Sequence, residues 1–288
     1  MAERIIIRSD SLTAEIAPLG AELQSLRYGD HELMWSGDPE VWSGRAPVLF
    51  PVVGRLHKDR YRVGGVEYPM PKHGFARRSV FVATEASGNA VTFRLADDAT
   101  TRAIYPFAFA LEMRFAIEGA TLAMTATITN MGDVDLPASF GFHPAFAWPL
   151  PFGDDRPAHR IVFERDEPAP VRAITSDGLI GGYRESPVEG ATLRLDDTLF
   201  AEDALVWDDL KSRRLRYGGP TAALDIAFPD TPWLGIWTKP GAHYLCIEPW
   251  AGMADPEHFD RDFHDKPRIF LLPPGKKRHI HMMVTVSV

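Results

Sequence analysis

Apolar residues recur at every second position in several stretches of the chain, the spacing of a β-strand with one face buried. Between Phe109 and Ile117 the odd positions Phe109, Leu111, Met113, Phe115 and Ile117 are apolar, whereas Glu112 and Arg114 fall on the other face. From Leu122 to Ile128 the apolar set is Leu122, Met124, Ala126 and Ile128, with threonines mostly between them. The C-terminal run places Ile280, Met282, Val284, Val286 and Val288 on one face, and Val91, Phe93 and Leu95 alternate with Thr92 and Arg94. Turn-forming groups at Ser87-Gly88-Asn89, Glu118-Gly119 and Asn130-Met131-Gly132-Asp133 fall where hairpin loops are expected. The span from about residue 80 to residue 129 therefore reads as an antiparallel meander. Few windows keep a helical apolar period, so the expected fold class is mostly β, an antiparallel sandwich rather than a parallel α/β sheet.

Composition narrows the function more than the fold. The chain has 288 residues, with 24 Pro and 23 Gly that suit many turns. No short tandem repeat or convincing linker interrupts it, since strand-like sequence lies on both sides of the turn-rich Pro149–Pro157 stretch, and one domain over residues 1–288 is expected. The net charge of −8 opposes polyanion binding, so nucleic acid is an unexpected partner, although local arginines still suit one phosphorylated metabolite. Cys246 is the only cysteine, which excludes an intrachain disulfide framework. No stretch approaches the length of a membrane span, and the short Ile5-Ile6-Ile7 run lacks the apolar core of a signal peptide. A cytoplasmic protein, monomer or homodimer, is the expectation.

Two segments carry candidate chemistry: Phe140-Gly141-Phe142-His143-Pro144-Ala145-Phe146 and Cys246-Ile247-Glu248-Pro249-Trp250. In each, an ionisable residue sits among apolar neighbours directly before a proline. A residue before proline favours extended backbone, and the proline itself is confined to strand ends, edges or bulges. Such a position holds a side chain rigidly, as a general acid or base requires. Apolar surroundings raise a glutamate towards neutrality and histidine titrates near there, so His143 and Glu248 are a candidate proton-exchanging pair. A lone buried histidine is more commonly satisfied by a backbone carbonyl, whereas a buried carboxylate without a role is rarer.

A third segment, Gly54-Arg55 with Pro71-Lys72-His73-Gly74-Phe75-Ala76-Arg77-Arg78, offers Arg55, His73 and Arg77 as donors to hydroxyls or a phosphate. Trp35, Trp42, Phe75, Phe142 and Trp250 lie near these polar segments, and flat rings suit the C–H faces of a pyranose, although aromatics in β proteins are usually core. The acidic and histidine-rich 255–265 stretch matches neither a zinc helix nor a calcium loop and reads as a solvated loop. His279 and His281 share a polar strand face beside Lys276, Lys277 and Arg278, which disfavours a cation. Phosphate-cradling glycine loops and serine-nucleophile elbows are absent.

Taken in order, these segments resemble the aldose 1-epimerase (galactose mutarotase) family over nearly the whole chain. The resemblance begins at Ala17-Pro18-Leu19-Gly20-Ala21-Glu22-Leu23-Gln24-Ser25-Leu26 and continues through Pro47-Val48-Leu49-Phe50-Pro51, Gly54-Arg55 and His73-Gly74-Phe75-Ala76-Arg77. It passes Tyr105-Pro106-Phe107 and closes with the Phe-His-Pro-Ala-Phe and Ile-Glu-Pro-Trp segments. It implies a large antiparallel β-sandwich, with His143 as general acid, Glu248 as general base and Arg55 and His73 on the sugar. Asp203 is the candidate for the family's binding aspartate, with Arg77 and Trp250 as further substrate contacts. No metal or organic cofactor is implied. The segment around His73 looks more like the hexose-6-phosphate 1-epimerase branch than the Asn-His-Leu-His-Gly pattern of the galactose enzymes, so the implied partner is a small sugar or sugar phosphate. A non-catalytic sugar-binding or sensing protein and a glycoside hydrolase are the alternatives; the first needs no proton pair, and the second normally needs two carboxylic acids.

Overall fold

The alternating runs form the strands expected of them. The computed structural model describes residues 3–288, and its largest sheet has nine strands. Five strands running from its middle to one edge are the antiparallel set Lys277–Ser287, Thr121–Asn130, Phe109–Glu118, Ala90–Ala96 and Val82–Ala86, which is the expected meander with the C-terminal strand added. Phe109, Leu111, Met113, Phe115 and Ile117 are buried on one face while Arg114 and Glu118 are exposed on the other. Gly119 and Ala120 close the Glu118–Thr121 hairpin, and Gly119 adopts φ +55°, the left-handed value that the first position of such a two-residue loop requires.

Two features depart from the meander. A short helix, Ala99–Ile104, interrupts it, started by a capping box between Asp98 and Thr101. The Asn130-Met131-Gly132-Asp133 turn does not form a hairpin; it carries the chain out of the sheet to Leu136–Ala138, which pairs with Phe270–Leu272. Asn130 holds this crossing. Its buried amide donates to Val134 O and Leu272 O, both at 2.7 Å, and its carbonyl accepts from Gly132 N at 2.9 Å. Full satisfaction makes a buried amide tolerable there.

The second large sheet has seven strands. Tyr244–Ala251 pairs with Trp233–Trp237 on one side and with two short pieces, Phe140–Gly141 and Ala145–Ala147, on the other. Every residue of Tyr244–Ala251 is buried, so this strand has no solvent face. Leu245, Ile247 and Ala251 point into the main apolar core, a contiguous cluster that includes residues from Ile7 to Val286. Tyr244, Cys246 and Trp250 point the opposite way, into smaller clusters that floor a cavity. Glu248 shares that second face by the two-residue period. Among the described residues no helix is long and apolar enough to cross a membrane.

Candidate active site

The break between Phe140–Gly141 and Ala145–Ala147 is where His143 enters. Both pieces pair with the same neighbour in one register, so Phe142, His143 and Pro144 lie opposite Pro249, Glu248 and Ile247. The ladder continues across the gap, with Phe142 N donating to Pro249 O at 3.2 Å and Ile247 N donating to Pro144 O at 3.1 Å. Pro249 sits inside the strand rather than at its end. A residue's N–H and C=O point to the same side of a strand, so its missing donor falls on the side of Phe142, where the Pro249 carbonyl alone keeps the ladder contact. Both prolines thus serve the placement of the neighbouring ionisable side chains.

His143 Nε2 and Glu248 Oε2 are 3.1 Å apart, with side chains 8% and 3% exposed. Burial moves the two in opposite directions. It lowers His143 to about 3, with the Arg77 charge adding to the effect. It raises Glu248 well above its ordinary value, opposed by Lys72 and reinforced by Asp203. The sequence-based expectation that His143 titrates near neutrality is therefore corrected, because desolvation penalises the imidazolium. Both shifts favour the uncharged forms of the two groups.

The pair lies at a cavity of about 270 Å³ lined by Trp42, Lys72, His73, Arg77, Asp203, Trp237, Trp250 and backbone at Gly54 and Gly178. Six of the seven residues expected from sequence line it: His143, Glu248, His73, Asp203, Arg77 and Trp250. Arg55 does not. Its Nε and Nη2 donate to the carboxylate of Asp59 at 2.7 and 2.6 Å, and only its neighbour Gly54 reaches the cavity. The acid four residues on was the signal in the sequence.

His73 is fixed by two reciprocal bonds to Gly54: its N donates to Gly54 O at 2.8 Å, and its Nδ1 accepts from Gly54 N at 3.1 Å. Because Nδ1 accepts and burial keeps the ring neutral, Nε2 carries the proton and is a donor. Close packing permits this geometry. Gly74, at φ +75°, lies so near Phe50 that a Cβ would fall 2.1 Å from its carbonyl oxygen.

Three tryptophans wall the cavity. Trp42 stacks on the His143 ring with centroids 5.3 Å apart, and Trp237 meets Trp42 edge-on at 5.7 Å. The Trp42 carbonyl accepts from Trp35 Nε1 at 2.8 Å, which ties its loop to the sheet. Trp250 lies across its neighbouring strands because these carry glycine there: a Cβ on Gly141 would fall 2.6 Å from its ring, and one on Gly235 2.7 Å. Trp237 and Lys72 were not singled out from sequence; Trp237 belongs to an apolar run that reads as core, and Lys72 sits in a segment where His73 drew the attention. The 255–265 stretch is not wholly solvated either. Asp255 is 2% exposed and forms a buried ion pair with Lys266 at 2.8 Å.

The chain is similar to known proteins over nearly its whole length. The family model described as Aldose 1-epimerase matches residues 3–283. Protein LacX of Lactococcus lactis subsp. lactis, in plasmid and chromosomal forms, is 30% identical over 283 residues, 94% of this chain and 95% of the relative. A galactose mutarotase-related enzyme from Lactobacillus acidophilus superposes with a TM-score of 0.92 at 30% identity, covering 99% of this chain and 98% of that one. A galactose mutarotase-like protein from Lactobacillus casei gives 0.93 at 28% identity, covering 99% and 100%.

Proposed function

The chain belongs to the aldose 1-epimerase family, and we propose that it is a mutarotase interconverting the α and β anomers of an aldose or aldose phosphate. The observation that carries this reading is the buried His143–Glu248 contact of 3.1 Å opening on a cavity with three tryptophan walls. A sugar-binding module has no need of a matched proton donor and acceptor held apart from solvent.

In this reading the pair carries one proton and works in its ionic form, with the proton on His143 and Glu248 as carboxylate; Lys72 and Arg77 favour that carboxylate but oppose the imidazolium, so the bound sugar must stabilise it. Glu248 removes the proton from the anomeric hydroxyl while His143 delivers its proton to the ring oxygen. The C1–O5 bond breaks and the anomeric carbon becomes the free aldehyde. Rotation about C1–C2 presents the other carbonyl face, and reversed proton movements close the ring as the other anomer. His73 Nε2–H donates to a sugar hydroxyl, and Asp203 accepts one at the mouth. Trp42, Trp237 and Trp250 cover the apolar C–H faces. General acid–base catalysis of this kind supplies about 10²–10⁴-fold, and orientation adds to it.

Lys72 and Arg77 support a phosphorylated substrate. Both line the cavity, and among the described residues neither has an ion-pair partner. An unpaired, half-buried guanidinium lining the same cavity as an ammonium suits a phosphate oxygen pair. Polarimetry or one-dimensional proton NMR on a panel of aldoses and their 6-phosphates tests both parts. Acceleration is expected, with Arg77→Ala raising KM for the phosphate far more than for the free sugar. Binding without acceleration of any sugar would instead make the chain a sensor.

A further inference from the structure

Cys246 plays no part in the proton transfer, yet it lies against the residues that do. Its Sγ, a His143 ring nitrogen and a Glu248 carboxylate oxygen are all within 4.8 Å of one another, and all three residues are buried. Cys246 and Glu248 are two apart on Tyr244–Ala251 and share one face, while His143 meets them from the facing segment, opposite Glu248 in register. A tetrahedral zinc ion with bonds of ~2.0–2.3 Å separates N, O and S ligand atoms by roughly 3.3–3.5 Å. The Nε2–Oε2 separation of 3.1 Å is already near that value. The thiol needs to move in by on the order of 1 Å.

We propose that this cluster is an inhibitory site for a thiophilic divalent cation, Zn²⁺ in particular, ligated by His143 Nε2, the Glu248 carboxylate and Cys246 Sγ. A thiolate, an imidazole and one carboxylate select zinc or cadmium over the hard cations magnesium and calcium, which take oxygen sets. Three protein ligands leave the fourth position of such an ion for water or a sugar hydroxyl, the pattern of a three-ligand zinc site. Charge balances as well. Zn²⁺ enters, the Cys246 thiol releases one proton to solvent, and the His143–Glu248 pair releases the proton it holds. Exchange of a dication for two protons leaves the net charge of the site unchanged, so Lys72 and Arg77 add no new repulsion. The ion then occupies both lone pairs that proton transfer requires.

The inhibitory part rests on the mutarotase reading; the binding part does not. Titration of the intact protein with Cd²⁺ is expected to give a sulfur-to-metal charge-transfer absorption saturating at one equivalent, which Cys246→Ser abolishes. Mg²⁺ gives no change. Zinc held only by surface histidines such as His279 and His281 would lack that absorption and would overturn the proposal. In the mutarotation assay Zn²⁺ is expected to abolish acceleration and EDTA to restore it. Cys246→Ser, and Cys246→Ala as a second variant, keep the basal rate but need at least ten-fold more Zn²⁺ for the same inhibition. Equal zinc sensitivity in folded variants also overturns it. If no sugar is turned over at all, the absorption titration still decides the metal site on its own.

Discussion

On one face of Tyr244–Ala251, Leu245, Ile247 and Ala251 pack into the main core; on the other, Glu248 and Trp250 line the cavity and Cys246 packs beneath it, and all six are buried. Burial alone therefore does not separate scaffold from site. What differs is polar satisfaction. The core face carries no side-chain polar atom to satisfy, whereas Trp250 Nε1 and the facing His143 Nδ1 are buried without a hydrogen-bond partner. Glu248 is held against its ordinary protonation behaviour. Unsatisfied buried groups cost free energy, on the order of 1–3 kcal/mol each, which a ligand able to engage them would recover.

The contrast breaks most directly at Glu248. Glu248→Gln, or His143→Asn on the facing segment, is expected to lower the catalytic acceleration by about 10²–10⁴-fold. The thermal midpoint should hold or rise, because a group that resists ionisation in the fold is removed. A rate like that of the unaltered protein in either variant would sink the assignment of the pair. Ile247→Ala probes the opposite face. It should cost about 2–5 kcal/mol in a denaturant melt and leave the rate per folded molecule unchanged. A selective loss of rate there would erase the distinction between the two faces.

Gly235→Ala tests the boundary between them. The new Cβ would stand 2.7 Å from the Trp250 ring, so the indole must shift at a cost of about 1–3 kcal/mol, and KM should rise several-fold. An unchanged KM would separate Trp250 from the substrate. The smallest effect is one of pH. His143 is held down to about 3, so no second proton joins the pair as the pH falls from 7 to 5, and the enzyme-catalysed rate should change less than two-fold. A histidine titrating near its ordinary ~6.5 would instead cut the rate more than ten-fold over that range. The same depression carries a stability sign. The unfolded chain takes up a proton below about 6.5 that the folded state refuses. This residue's contribution to stability therefore declines as pH drops from there towards about 3.

Period-two alternation made the central strands legible, because Phe109–Ile117 and Leu122–Ile128 bury one face against a single core. The same rule is silent for Tyr244–Ala251, where both faces are buried and the apolar run says nothing about which side is the site. His143 and Glu248 were readable because each is an ionisable residue locked before a proline. Arg55 was misplaced because a guanidinium reaches several ways, and Asp59 four residues later is the nearer partner. Trp237 was not readable. Its role depends on pairing with Cys246 and on Trp42 arriving from a loop some two hundred residues earlier, a convergence that only the folded chain defines. The crossing at Asn130 was likewise hidden, since turn residues announce a change of direction but not its destination.

The reciprocal bonds between Gly54 and His73 have an entropic consequence. With its ring nitrogen and its own N–H both engaged, His73 has lost its rotamer freedom when the chain folds, before any ligand is present. An imidazole free to turn would lose that freedom on binding instead, at roughly 0.5–1.5 kcal/mol for an immobilised side chain. A sugar hydroxyl arriving at His73 Nε2 thus meets a donor that is already still, and the enthalpy of the new bond is not offset by ordering of this side chain.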